Sequence, residues 1–378
     1  MNAAPDRIVA AADRADAAPA HVRSLDGLRG LAICGVLAVH AGVPCFAAGW
    51  LGVDLFFVLS GFLITSLICR EIQTTGRFYF FGFWLRRALR IFPPYYLYIS
   101  VITLLILFGF GNLSEHHGYT PGLYLASLWL YFINYIPQGG IWSHQMLTLH
   151  LWSLAVEEQF YLLWPLMFVL FRSIRQMLVV SVVLTIAVLI IRAMSTGPIQ
   201  SHLYTRGLPI FLGCTAALYF AQFKPRVSAW FTNVSLLLAL LATLVIAVPM
   251  GLGKLSEDRA HRQIVPVVVA CYAVTIAALW ACRSAHLANF LGSRPLVYLG
   301  KISYGVYLYH MLFHQLTWYV ILADINKLPP LIKFPIRVLT YVGLTVAAAA
   351  LSHKYFERPF LRLKDRFRTP AGSSKSTV

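Results

Sequence analysis

Charge is what this sequence has least of. Only 12% of its 378 residues are Asp, Glu, Lys or Arg and 59% are hydrophobic, whereas a soluble domain carries roughly 25% charge. Too little charge is present to coat a water-facing surface, so most of the surface must face lipid. Carboxylates are the scarcer sign, 14 against 31 Lys and Arg, for a net charge of +17. The cations never form a run long enough to track a phosphate backbone, which excludes a nucleic-acid partner. They fall in short clusters between apolar stretches, the pattern of loops on the cytoplasmic side of a membrane. None of the six cysteines (Cys34, Cys45, Cys69, Cys214, Cys271, Cys282) forms a CxxC pair, and all lie in or beside apolar stretches. They read as small hydrophobes rather than metal or redox sites. The first 24 residues lack the apolar core of a signal peptide, so 1–24 read as a disordered cytoplasmic tail. No internal repeat and no appended soluble domain are visible.

What is present is a succession of apolar segments near the length of a membrane span, about 20 residues. The fold class is therefore an all-α polytopic membrane protein of about ten transmembrane helices. They are placed near 28–48, 50–70, 91–111, 151–171, 176–195, 206–222, 228–250, 264–282, 302–322 and 335–355. The transmembrane domain runs over 25–358, and 359–378 form a basic cytoplasmic tail. With both termini cytoplasmic, 23 of the 31 basic residues fall on the inner side and eight outside, and inverting the chain would invert that bias. The apolar stretch 122–136 is too short to cross. If it crossed, the charge bias of every later loop would collapse. It is assigned to an external re-entrant segment, near 122–150, that lines a cavity, because irregular backbone at membrane depth needs such cover.

Ionisable residues inside spans are costly and mark function. Arg29 and His40 are eleven residues apart, so they project from nearly one face of the first span, about 16 Å apart along its axis. A bland reading is a snorkelling arginine and a hydrogen-bonded histidine; the sharper one makes His40 a base near neutral pH. Asp26, at the helix start, reads as a cap. Asp54, the carboxylate of "GWLGVDLFFVLSGFLITSLI", is expected at the depth of His40, where it could fix the imidazole tautomer. Gly52 and Gly61 read as close-packing residues. Arg86, Arg87 and Arg90 gather at the inner interface at the entry to the third span. Of these, Arg87 and Arg90 are neighbours on one helical surface and can bind phosphate bidentately. Glu157 and Glu158 lie about two turns into the fourth span and point about 100° apart. His150 shares the face of Glu157, and Trp152 suits an aromatic belt or a sugar-stacking wall. In the ninth span Tyr307, His310 and His314 form a polar stripe. No ligand spacing supports a metal site.

Taken together, Arg29 with His40 eleven positions on, "GVDLFFVLSGFLI", the Arg87–Arg90 pair, "WSLAVEEQFYLLWP" and "ISYGVYLYH" resemble the acyltransferase-3 family of bacterial membrane acyltransferases, over roughly residues 22–360. The resemblance implies a stand-alone enzyme of the bacterial inner membrane with no permanently bound cofactor. An acyl group, commonly acetyl, would pass from cytoplasmic acyl-CoA, the cosubstrate, to a hydroxyl of an external or lipid-linked glycan. It further implies that His40 is the catalytic histidine, acting as base or as acyl acceptor, with Asp54 or Glu157 orienting it. Arg29, Arg86, Arg87 and Arg90 would hold the donor. Glu158, Trp152, His150, Tyr307, His310 and Arg206 would line the cavity or the acceptor side, Arg206 within "TRGLPIFLGC", which matches the family pattern loosely. Membrane lipids are the remaining partners. The rival class is a transporter or flippase, which also buries charge among helices, although the paired broken helices of many transporters are not seen here. The orientation is directly testable. A fluorescent protein fused after Val378 should fluoresce and alkaline phosphatase fused there should stay inactive; the reverse pair of results would invert the topology.

Overall fold

The computed structural model describes residues 22–43, 46–108, 120–136, 147–171, 173–195, 202–282, 284–321 and 328–367. Within them all regular structure is helical, as lipid demands of a backbone whose polar groups must be satisfied within the segment. In chain order the helices are α1 (Arg23–His40), α2 (Leu51–Thr75), α3 (Phe80–Leu107), α4 (Pro121–Trp129), α5 (Leu151–Leu170) and α6 (Ile174–Met194). There follow α7 (Leu203–Arg206), α8 (Leu208–Phe223), α9 (Ala229–Gly251), α10 (Glu257–Gln263), α11 (Val265–Ala281), α12 (His286–Leu291), α13 (Arg294–Gln315), α14 (Pro330–Leu351) and α15 (Arg358–Leu363). Among the described residues six helices are long and apolar enough to cross a membrane, and seven if α10 and α11, bent by 61° at their junction, count as one span. The chain is a multi-pass helical bundle. Each of the ten segments expected from the sequence holds one long helix, but α1 and α13 carry too much polarity, and α8 too few residues, to qualify on length and composition alone. Large apolar side chains exposed along α6, α9 and α14, such as Val183, Leu241 and Leu339, form the lipid-facing coat.

Glycine decides which helices can touch. A Cβ on Gly61 of α2 would stand 2.0 Å from the Ile210 carbonyl oxygen of α8, and one on Gly213 of α8 2.2 Å from that of Val58. The two backbones are therefore in direct contact. The same holds for α1 against α13, where a Cβ on Gly300 would meet the Asp26 carbonyl oxygen at 1.8 Å. Gly52, read as a packing residue along with Gly61, presses α2 onto the Ala32 carbonyl of α1. These contacts bring α1, α2 and α13 close enough to enclose polar groups between them.

α1 ends at His40 and α13 starts at Arg294, each eight residues before the expected bound, and two further segments differ from the sequence reading. α3 starts at Phe80, eleven residues before the expected span, so the arginines lie inside the helix and not ahead of it, and Pro93 and Pro94 are internal to it. Composition misplaced the start because three arginines and two prolines lower hydropathy and propensity there. The stretch 121–136 is the nine-residue α4, a turn and a short 3₁₀ turn at Ile133–Tyr135. At 1.5 Å per residue α4 spans about 14 Å, less than half a bilayer core. It is tied to α3, with the Tyr95 hydroxyl donating to the Leu128 carbonyl at 2.7 Å and the Tyr96 hydroxyl to that of Trp129 at 3.3 Å. None of its described residues lines the cavity below. Residues 137–146 of the expected re-entrant segment, 1–21 of the N-terminal tail and 368–378 of the C-terminal tail lie outside the described residues. The start of the expected basic tail, 359–367, is helical, and the Phe367 carbonyl accepts from Arg86 at 2.6 Å.

The glycine contacts make a stability prediction. Gly61→Ala should cost about 1–3 kcal/mol, as overpacking does, read as a lowered thermal midpoint in detergent. Gly343→Ala, with nothing within 4 Å of its added Cβ, should leave the midpoint in place.

Candidate active site

Helices α1, α2, α3, α5 and α13 line an open cavity. Its polar lining is divided by charge. Arg29 comes from α1 and Arg87 and Arg90 from α3; opposite them α5 presents Glu157, Glu158 and Tyr161. Ser60 of α2 donates to Oε1 of Glu157 at 2.6 Å and so accepts from the Tyr161 hydroxyl at 3.0 Å. The Arg87 guanidinium lies over the Tyr161 ring, 5.1 Å from its centre, a cation–π contact that fixes its plane. Arg29 also faces Asp26 at 3.6 Å. The N-cap of α1 is Val22, so Asp26, expected at the cap, sits inside the first turn instead. At the far end of the cavity stand Ser153 and Tyr307, joined hydroxyl to hydroxyl at 2.6 Å.

Beyond Tyr307 the site continues as a file of imidazoles. The Tyr307 ring lies 5.3 Å from that of His310, which meets His40 edge-on at 4.9 Å and His150 at 4.8 Å. His40, the last residue of α1, is half-buried, and its Nδ1 donates to the Val36 carbonyl at 2.8 Å. A carbonyl can only accept, so in the neutral ring the proton sits on Nδ1 and the lone pair on Nε2. His40 is not itself a lining residue of the cavity.

Three sequence expectations are corrected here. Asp54 does not pair with His40. It is buried, and the charged groups it faces are Arg192 and His261. Equal depth along two helices does not make two side chains neighbours, and the Asp54 side of α2 turns toward Arg192 of α6 and His261 of α10. Glu157 likewise joins the arginines rather than the imidazole. Arg86 points out of the cavity, to Phe367 and to Glu71 at 3.5 Å. The acceptor-side residues divide into two groups. His150, Tyr307 and His310 come together, with the His150 ring donating to the Leu308 carbonyl at 3.1 Å. Arg206 lies 4.8 Å over the Trp152 ring and contacts the His261 ring at 2.7 Å. His261 in turn packs at a tilt against the Trp50 ring and faces Glu257 at 3.4 Å. Ser60, Glu257 and His261 were not singled out from the sequence. Ser60 is two turns from Asp54 in the same polar-dotted helix, a usable signal. Glu257 and His261 lie in "EDRAHRQ", which reads as an ordinary polar loop.

Comparison with known proteins decides the family. The acyltransferase domain model of the acyltransferase-3 family matches residues 22–354. The chain belongs to the acyltransferase-3 family. This acyltransferase is 29% identical over 358 residues to the O-acetyltransferase OatA of Staphylococcus aureus, covering 90% of the chain and 57% of that protein. It is similar also to the peptidoglycan O-acetyltransferase OatA of Listeria monocytogenes (28% identity; 90% and 56% coverage). A third relative is the putative peptidoglycan O-acetyltransferase YrhL of Bacillus subtilis (30%; 90% and 55%). The chain thus spans little more than half the length of these relatives. No solved structure matches it.

The Asp54 assignment can be checked against the imidazole. Asp54→Asn should lower the thermal midpoint, since it leaves buried Arg192 without its nearest opposite charge. It should not change how catalytic turnover depends on pH. A displaced pH profile would return Asp54 to His40.

Proposed function

We propose that this chain transfers an acyl group, acetyl by preference, from cytoplasmic acyl-CoA to a hydroxyl of an external glycan. The observation that carries this reading is the continuity from Arg29, Arg87 and Arg90 through one cavity to Tyr307, and from Tyr307 across His310 to His40. Orientation by loop charge puts the arginines toward the cytoplasm and His40 toward the outside. Coenzyme A carries phosphates, for which guanidiniums are the matching donors. Its pantetheine arm is long and thin, comparable to the roughly 16 Å between Arg29 and His40. The similarity to O-acetyltransferases, among them a peptidoglycan O-acetyltransferase, supports acetyl as the group and a glycan as the acceptor.

His40 does the chemistry in this scheme. With Nδ1–H held by Val36, Nε2 takes the proton from the acceptor hydroxyl as its oxygen attacks the thioester carbon. The carbon–sulfur bond then breaks and the proton passes to the leaving thiolate, so ester and free coenzyme A are the products. An acyl-imidazole formed first on Nε2 is the other route open to the same atom. Glu157, anchored by Ser60, balances the arginine charge at the donor end.

The test uses the full-length protein in lipid nanodiscs with radiolabelled acetyl-CoA and a soluble glycan acceptor. His40→Ala should reduce transfer by about 10²–10⁴-fold, the scale of a lost general base, while acetyl-CoA still binds. Arg87→Ala with Arg90→Ala should instead weaken acetyl-CoA binding at least about tenfold, since each charge-assisted contact contributes roughly 1.5–3 kcal/mol. Wild-type turnover without His40 would sink the mechanism, and unchanged donor affinity without the arginines would sink the donor site.

A further inference from the structure

Three imidazoles stand in file, His310 in ring contact with both His40 and His150, and each is committed in the same way. His40 donates through Nδ1 to the Val36 carbonyl, His310 through Nδ1 to that of Tyr307, and His150 through Nε2 to that of Leu308. In each neutral ring the donor hydrogen is thereby used, and the remaining nitrogen holds only a lone pair. Those nitrogens are Nε2 of His40, Nε2 of His310 and Nδ1 of His150. The latter two are buried with no hydrogen-bond partner. A buried acceptor left unmatched costs roughly 1–3 kcal/mol. Two such acceptors beside a third nitrogen assigned to proton abstraction form a cluster that is one proton short.

The ring spacing fits that shortage. A proton shared between two imidazole nitrogens sets the ring centres roughly 5 Å apart, two ring radii plus one hydrogen-bond length. His310 stands 4.9 Å from His40 and 4.8 Å from His150, edge-on to both at 72°. The cluster is not arranged as a metal site: among the described residues no group of three His, Cys, Asp or Glu side chains is placed to hold an ion.

We propose that His310 is the proton partner of His40, so that the proton taken from the acceptor hydroxyl is held between the two Nε2 atoms until the thiolate leaves. The inference rests on the acyl-transfer reading above and adds a positioning residue to it. The step balances. The hydroxyl loses its proton to the His40–His310 pair, oxygen bonds to the acyl carbon as sulfur departs, and the pair returns that proton to sulfur. Neither ring is consumed and no other reactant enters. His150 supports His310 from its other side.

The surroundings leave this role to a ring nitrogen. From α5 His150 faces the pair, with Tyr98 of α3 behind it. On α13 itself stand Tyr307 and His314, and Tyr341 of α14 packs on His314. From α10 the charge of Glu257 reaches His40, but that carboxylate contacts His261. Among the described residues no carboxylate hydrogen-bonds any of the three rings.

Two measurements on the full-length protein in nanodiscs test the inference. The first is kinetic, with acetyl-CoA and the soluble glycan acceptor. His310→Gln keeps a hydrogen-bonding side chain but cannot share a proton as imidazole does. It should lower kcat about 10²-fold, leave KM for acetyl-CoA unchanged and move the acid limb of the pH–rate profile to lower pH. A merely structural histidine would not move that limb. A variant with wild-type kcat and profile, or one whose kcat falls with the profile in place, overturns the inference. The second needs no turnover and no folded variant: nitrogen-15 histidine resonances of the wild-type protein followed as pH falls. The inference expects two rings to respond together to one proton, whereas independent titration of every ring overturns it. If the rings respond together but no acetyl is transferred to any acceptor, the pair stands and the acyl-transfer reading fails.

Discussion

The cost of placing charge in hydrocarbon governs this molecule. A guanidinium or carboxylate at membrane depth is tolerable only where neighbouring helices shield it and supply partners. Shielding requires helices that approach closely, and the glycine contacts of α1 with α13 and of α2 with α8 provide that approach. The polar side chains of the bundle are accordingly collected between these helices instead of being spread along them. One group is the cavity of Arg29, Arg87, Arg90, Glu157 and Glu158. Another is the file of His310, His40 and His150. A third joins Arg206, His261, Trp152 and Trp50.

The division between the first two groups suits a reaction whose substrates arrive from opposite sides of a membrane. Cations close to the reacting imidazole would oppose its protonation. In the proposed reaction, placing them at the other end of the cavity would let them attract a polyanionic donor while the imidazoles work in a neutral setting. The helix carries both groups on one rigid rod, since Arg29 and His40 belong to α1, so their separation is set by helical rise and not by loop conformation.

Much of this was legible in sequence because it is written along single helices. Low charge and span-length apolar runs specify a helical membrane bundle. Arg87 and Arg90 fall three apart, and Gly52 and Gly61 sit inside apolar spans where small residues serve packing. What was not legible is lateral. Asp54 and His40 were matched by depth, yet rotation about the α2 axis turns Asp54 to Arg192 and His261. Glu157 was matched to His150 on one helix face, yet its hydrogen-bond partner is Ser60 on another helix. Periodicity gives the face of a helix and its depth; which neighbour meets that face is decided by packing, which one sequence does not display. The start of α3 escaped for a different reason, because arginines destined for a cavity look like arginines destined for water.

The carboxylates in the cationic cavity have a physical use that follows from turnover. Three guanidiniums alone would bind a polyanion before and after reaction with equal strength, and a product held as tightly as the substrate limits the rate. Glu157 and Glu158 lie in the same cavity as Arg29, Arg87 and Arg90, so the summed formal charge of these five side chains is about +1 when all are ionised. Such a site attracts phosphates through directed donors yet lacks the field that would retain them. Ser60 and Tyr161 then matter as the groups that keep Glu157 in place, because a carboxylate free to swing onto a guanidinium would close the donor's own binding surface.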